Sequence, residues 1–496
     1  MKRIGIFLTV LFFACGLSAQ SPKSYLVADF NEKNLDPLLE ICRKGGLEYL
    51  LEQHPFATYG HYRWNPDFAA NNKAVARMVQ KAENAGVHLG VLVRRDVISE
   101  NDPYYASKYS KHFLKEGKVE LFSDIDEDEI DIALRINEVI KGASSLNLIL
   151  VDNELVSYGT IERAGDLLLL HHCTRGACGT RKAPHSAKAE AYKIWDTPER
   201  HVAPDDVLRD SVRRQLDSRL EATGISFVLE AGEPGQEPFD GSLRVRQVER
   251  WADDKSLSDG GSLGWITLRS AEKRQNATSL DDVEWMMSKA VGFGAGYGLL
   301  MDKKVMKEHG RLDEILEKMR QWDELRHASG LTKHLLEELR DPYLDWHLEQ
   351  DTIGGFLLSQ WNFSRRYQCV FSVVDSLLVS TKPWEWKAEA EGRFGLRLQV
   401  EGKVPVKNPM INTEKGLVMF PCTIKPGQFL VYDFDDIALL MDANYKTIKE
   451  VPIEGISELP AGTSEATFLC EVEKEGETPE VTLRYITCAK KISVAK

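Results

Sequence analysis

"SYLVADFNEKNLDPLLEICRKGGLEYLLEQ", Ser24 to Gln53, is the stretch on which the fold turns. An apolar run opens it. A segment with Leu35, Leu38, Leu39 and Cys42 on one helical face follows, Gly45 and Gly46 close that helix, and "LEYLLEQ" is apolar again. Asn34 stands where a helix N-cap sits. Runs too continuous for a half-solvated strand, joined by one amphipathic helix, read as a parallel βαβ unit with both sheet faces covered.

The pattern repeats outward. "KAVARMVQKAENAG" (Lys73 to Gly86) reads as a second amphipathic helix and "VHLGVLVRRD" (Val87 to Asp96) as a third strand. The alternation stops near Asn101 and resumes at Asp205 with a helix, then the strand "ISFVLEAG", the helix "VRQVERWAD", the strand "LGWITLR", the capped helix "SLDDVEWMMSKAVGFG" and the strand "AGYGLLMD". Six strand candidates in βα order predict a (β/α)8-type barrel over 20–360; its last two strands are not visible in the sequence, so they are degenerate or the barrel is incomplete. "GFGAGYG" (Gly292 to Gly298) precedes its strand, where a dinucleotide loop would follow one, so it reads as a helix stop and tight turn.

Other segments differ in period. Residues 118–195 carry short β segments and turns ("KVELF", "LNLILVDNELVSYGTI", "LLLLHHCTRG") and read as an inserted β module. Lys303 to Gln350 reads as charged helix. From 361 to 496 the period turns to two, in "FGLRLQV", "QFLVYDF" and "EVTLRYIT", which predicts an antiparallel β-sandwich. The acidic run "DIDEDEID" lacks the glycine and the distant glutamate of a calcium loop and reads as a solvated turn.

At the N-terminus, Met1, Lys2 and Arg3, an apolar Ile4 to Ala14 and a small-residue exit before Gln20 read as a signal peptide over 1–19, so the protein is expected to be exported, periplasmic or extracellular. Phe12, Phe13 and Ala14 make a poor lipobox at Cys15, so a lipid anchor is not expected, and no later run is long enough to span a membrane. Lys plus Arg is 63 against 76 for Asp plus Glu, a net charge of −13, which argues against nucleic acid as a partner. The seven cysteines beyond Cys15 are scattered; only Cys173 and Cys178 are spaced for a local bridge. No metal or cofactor is expected, and nothing speaks to oligomeric state.

In a βα barrel, ligand groups come from the C-terminal ends of the strands. Those ends offer Asp29; then His54, Tyr59, His61, Arg63 and Trp64 in "HPFATYGHYRWNPDF"; then Arg94, Asp96 and Asp102; then Glu230, Arg269 and Asp302. Rings with polar tips, carboxylates and guanidinium donors together suit a sugar, whose C–H faces stack on rings and whose hydroxyls pair with polar groups. Each ring taken singly is more often packing than recognition; the clustering is what assigns these to binding. Glycoside cleavage uses two carboxyls across the scissile bond. Glu230 and Asp302 are the expected catalytic pair, with His54, Tyr59, His61, Arg63, Trp64, Arg94, Asp96 and Arg269 as substrate-binding residues. The competing roles are an ion pair for Glu230, a helix cap for Asp302 and an Asx turn for Asp102 before Pro103.

"TYGHYRWNPDF", "GVHLGVLV" followed by "ISENDPYY", "HHCTRGACGTRKAPH", "ATSLDDVEWMMSKAVGFGAGYGLL" and "IKPGQFLVYDF" resemble the secreted glycoside-hydrolase-like βα-barrel proteins of polysaccharide-degrading bacteria, loosely similar to the α-galactosidase clan. That resemblance implies a barrel with a β insertion, a carbohydrate-associated β domain, and carboxylates after strands four and six. One departure matters: Val228 and Leu229 stand where the group carries an aspartate, and only Glu230 remains. The expected function is therefore an exported glycoside hydrolase acting on an oligosaccharide or polysaccharide. The alternative is a carbohydrate-binding protein without turnover on a degenerate hydrolase barrel.

Overall fold

The computed structural model describes residues 23–136, 146–197, 200–230, 238–239, 244–254, 257, 261–273, 275–351 and 354–496; the expected signal peptide lies outside them. Seven parallel strands form one sheet: β1 (Ser24–Ala28), β2 (Tyr49–Glu52), β3 (His88–Val93), β4 (Phe227–Glu230), β5 (Pro238–Phe239), β6 (Ser262–Thr267) and β7 (Gly296–Leu300). Their spatial order is β4, β3, β2, β1, β7, β6, β5, so the first and last strands are paired and the sheet edges are β4 and β5, which are consecutive in the chain. β5 is absent from the sequence reading, where its residues read as loop. Two residues long and opening on a proline without an N–H, it is found where such a strand is tolerated, at an edge.

The sheet is curled. β1 and β4 are three places apart, which in a flat sheet is roughly 14 Å at about 4.8 Å per strand, yet the rings of Tyr25 and Phe227 lie 6.4 Å apart. Tyr25, Val27, Leu51, Leu229 and Trp265 form one buried cluster with Tyr49, Leu92, Phe227 and Leu300 packed on it, joining strands that a flat sheet would separate. The alternate positions, Leu26, Leu50, Leu89, Val91, Ile266 and Leu299, belong to the layer that faces the helices. Gly298 makes room on the inner face: a Cβ there would stand 2.2 Å from the Tyr25 ring.

The connecting helices begin and end for local reasons. α1 (Leu35–Gly45) stops at Gly46, which takes φ +65°. Asn34 does not cap it: its Oδ1 instead accepts from the Asn31 N–H at 2.7 Å, folding the loop after β1. α2 (Asn72–Asn84) is capped by Asn71, α3 (Asp206–Glu221) by Asp205 and α5 (Leu280–Phe293) by Ser279, each accepting from a first-turn N–H; α4 (Arg244–Asp253) lies between β5 and β6. No helix among the described residues is long and apolar enough to cross a membrane.

Two antiparallel parts complete the chain. Between β3 and α3, seven strands from Lys115 to Ile194 form a separate sheet over their own core of Val119, Leu134, Val151, Val156 and Leu170. Cys173 and Cys178 are both free thiols there. Toward the C-terminus, two sheets enclose a core that includes Trp386, Phe394, Leu396, Phe420, Tyr432 and Phe468. The first strand of this part, Asp345–Gln350, falls where helix was expected. Its run of Trp346 and Leu348 buried beside more exposed neighbours is a period of two too short to stand out against the helices α6 (Val305–Glu308), α7 (Leu312–Arg326) and α8 (Lys333–Arg340) before it.

Candidate functional site at the C-terminal rim of the parallel sheet

Strand register decides what meets at the rim. β1 pairs with β2 so that Val27 faces Leu51, and with β7 so that Val27 faces Leu300; β6 pairs with β7 so that Thr267 faces Leu300. Val27, Leu51 and Leu300 belong to the inner cluster. Two residues further along each strand stand Asp29, Gln53, Arg269 and Asp302. Because side chains alternate with a period of two, all four continue the inward phase. They line a single cavity of about 800 Å³, whose apolar wall includes Leu38, Leu300, Met301 and Met306. Asp29 and Asp302 therefore follow adjacent, in-register strands.

Asp302 is held by the chain that follows it. Its Oδ1 accepts the N–H groups of Lys304 and Val305, both at 2.9 Å, in the turn leading into α6. The capping role weighed for it is present, and its second oxygen is not used by that turn. Asp29 accepts from His54 Nδ1 at 2.8 Å, which brings His54 to the edge of the same cavity.

Glu52, the last residue of β2, was not singled out by its sequence context. It is buried and accepts the N–H groups of Phe30 (2.7 Å) and His54 (3.2 Å), while also hydrogen-bonding Asp29. Burial pushes its carboxyl up from 4.5 to about 8; the backbone N–H bonds pull it down, and the neighbouring Asp29 adds to the rise. At neutral pH the proton stays on Glu52 and bridges to Asp29. Since the folded protein holds this proton over a range in which the unfolded chain has lost it, the associated stability is complete below about pH 4.5 and is lost as pH rises toward 8. From pH 5 to 7 the loss is on the order of 2 kcal/mol. Glu52→Gln removes the titration, so thermal melts should show the variant gaining on wild type as pH rises over this interval. A difference that stays flat, or reverses, would mean Glu52 is ionised.

The aromatic loop after β2 does not join the cavity. Phe56 stacks on Trp64 at 4.9 Å, and the Trp64 Nε1–H donates to Asn72 Oδ1 at 2.7 Å. Tyr62 is fully buried, and its hydroxyl bonds the carbonyl oxygens of Arg94 (3.0 Å) and Arg95 (2.8 Å). Tyr59 packs edge-on to Phe56, Tyr62 and His201. His61 pairs through Nδ1 with the fully buried Asp102 carboxylate at 2.8 Å and stacks on Tyr104 at 4.1 Å. Asp102 also accepts from the Tyr104 N–H at 2.9 Å, as its Asx-turn reading expects. At Gly60 (φ +115°) a Cβ would lie 2.6 Å from the same carboxylate, so glycine is required there. These contacts bind the loops after β2 and β3 to each other. Arg63 is exposed and donates to the Asn101 carbonyl, and Asp96 makes a two-point ion pair with Arg213 on α3.

Of the residues expected at the site, the cavity thus unites Arg269 and Asp302, with His54 attached through Asp29, and leaves Tyr59, His61, Arg63, Trp64, Arg94 and Asp96 outside its lining. Glu230 ends β4 opposite Val93, and its side chain lies outside the described residues. β4 is separated from β7 by β3, β2 and β1, whereas β1, which Asp29 follows, is β7's immediate neighbour. Gln53, Ser270 and Glu52 were missed. Counting alternate positions past each strand end marks Gln53, but nothing local marks the burial of Glu52.

No protein-family model matches the chain, and no curated protein matches it. The solved structures that resemble it include glycoside hydrolases. An α-amylase from Geobacillus thermoleovorans, complexed with acarbose, is 8% identical over 91% of this chain and 98% of its own, with a TM-score of 0.34. An isomalto-dextranase from Arthrobacter globiformis, complexed with panose, is 9% identical over 95% and 97%, with a TM-score of 0.30. An α-galactosidase from Geobacillus stearothermophilus is 10% identical over 92% of this chain and 56% of its own, with a TM-score of 0.33. Likeness this low carries neither fold nor chemistry across, and the chemistry rests on the rim itself.

Proposed function

We propose that the protein is a glycoside hydrolase built on a (β/α)8-type barrel, holding an oligosaccharide or polysaccharide at the C-terminal rim of its parallel sheet. One observation carries this reading: Asp29 and Asp302 continue the inward phase of adjacent, in-register strands and line the same cavity of about 800 Å³. Neighbouring strands lie about 4.8 Å apart, near the roughly 5 to 5.5 Å carboxyl separation of retaining glycosidases. Asp302, its Oδ1 held by two backbone N–H groups, acts as the carboxylate that faces the developing oxocarbenium centre. Glu52 carries the proton; it moves to Asp29 across their hydrogen bond and from Asp29 to the leaving oxygen, and Glu52 is left ionised until the attacking water returns a proton along the same path. The pair Asp29 and Asp302 takes the roles first given to Glu230 and Asp302.

The test is hydrolysis of a broad oligosaccharide panel by the purified protein, beside the Asp29→Asn, Asp302→Asn double variant, with Glu230→Gln in parallel. Turnover lost in the double variant and kept in Glu230→Gln supports the assignment; turnover by the double variant equal to wild type removes it. A second reading, sugar binding without turnover, is favoured by the part of Asp302 spent on capping α6. It predicts calorimetric binding of a glycan with no product from any member of the panel.

A further inference from the structure

We infer that the glycan held at this rim carries an anionic group, a uronate carboxylate or a sulfate ester, which Arg269 and Ser270 bind; the inference rests on the rim being a glycan site. The two residues are consecutive just past β6, and both line the cavity. Arg269 Nε and Ser270 Oγ are buried and have no hydrogen-bond partner among the described residues, and Ser270 is only 6% exposed. A buried donor left without an acceptor is destabilising. A guanidinium offers five N–H donors and no acceptor, so what completes it is an oxygen that accepts, and a planar or tetrahedral oxyanion matches its fork.

The acids of the rim are already engaged. Asp302 Oδ1 takes the Lys304 and Val305 N–H groups, Asp29 takes His54, and Glu272 stands 4.0 Å from the Lys304 ammonium. Four cationic side chains line the cavity, Arg269, Lys303, Lys304 and Lys307, against three acids, Asp29, Glu272 and Asp302. That local surplus of positive charge stands out in a chain whose net charge is −13 and draws an anion. The backbone that carries the donors is also held in place. Arg269 exchanges backbone bonds with Thr278, its N–H reaching Thr278 Oγ1 at 3.0 Å and its carbonyl accepting the Thr278 N–H at 3.1 Å. The Ala271 N–H is fixed by Asn444 Oδ1 at 2.7 Å. Little ordering is then left to be done on binding.

The experiment is calorimetric titration of the full chain with matched pairs: uronic-acid oligosaccharides beside the same oligosaccharides after carboxyl reduction, and sulfated oligosaccharides beside their desulfated counterparts. At least one acidic member should bind about tenfold or more tightly than its neutral partner, the scale of a charge-assisted hydrogen-bond pair. The pair that shows the ratio distinguishes carboxylate from sulfate. In Arg269→Gln the ratio should collapse toward one, and in Ser270→Ala, a smaller change that keeps the charge, it should fall partway. Neutral members binding as well as every acidic one would overturn the inference and leave the glycan site standing. A preference unchanged in Arg269→Gln would also overturn it, and no binding by any member would remove both readings.

Discussion

Asp302→Asn should lower kcat by about 10²- to 10⁴-fold while leaving the melting temperature close to wild type. Asparagine keeps an oxygen in the Oδ1 position, so the Lys304 and Val305 N–H groups retain their acceptor and the turn into α6 is preserved. It cannot carry the negative charge that faces an oxocarbenium-like centre. Asp302→Ala should lose activity to a similar degree and also lose about 1 kcal/mol of stability, because the turn then has no side-chain acceptor. Steady-state kinetics on any substrate turned over, with thermal melts of both variants, separates the two roles. An asparagine variant of full activity would show that capping is all Asp302 does.

The second large effect is structural and lies in the inserted sheet. Glu154 and Arg175 are each 1% exposed at the side chain and make a two-point pair at 2.9 and 2.8 Å. His185 joins Glu154 through Nε2 at 2.9 Å, and the N–H groups of Gly176 and Ala183 donate to the same carboxylate. Burial alone would push Glu154 up, but the bonds from Arg175, His185 and the two backbone groups outweigh it and hold the carboxyl below its ordinary value. Arg175→Ala leaves a buried carboxylate short of its main partner, and should destabilise the protein by about 3 to 5 kcal/mol. Replacing both, as Arg175→Met with Glu154→Leu, should recover much of this, because the uncompensated charge goes too. Since the Glu154 carboxyl titrates lower in the folded protein, its contribution is present above about pH 4.5 and fades as pH falls below it. Hydrogen exchange at residues 148–185 reads the loss locally. Exchange there that is equal in wild type and Arg175→Ala would show the pair to be dispensable.

These two sites also show what kind of feature is legible in a sequence. The "HHCTRGAC" segment invites a disulfide reading from its spacing, yet Cys173 and Cys178 are free thiols, and the residue that organises this region is the arginine between them. Its partner Glu154 is more than twenty residues away in another hairpin, so no local pattern announces it. The same holds for the aromatic loop. His61, Tyr62 and Trp64 are clustered in sequence because they hold two loops together, and their polar tips are satisfied by Asp102, by the carbonyls of Arg94 and Arg95, and by Asn72. A cluster of rings with polar tips has the same composition whether its partners are ligand atoms or other loops.

Local chemistry alone settled six of the seven parallel strands, the helices between them and the period-two character of the C-terminal part, because apolar periodicity and caps act over a few residues. It also marked Asp29, Arg269 and Asp302 as strand-end groups. Which of these share a cavity was decided by register and curl: Asp29 and Asp302 line one cavity because β1 pairs with β7, strands separated by more than 260 residues of chain. The protonation of Glu52 and the unmet donors of Arg269 and Ser270 arise at the same level. Burial and the identity of non-local neighbours set the energy of a polar group, and both exist only once β1 has paired with β7.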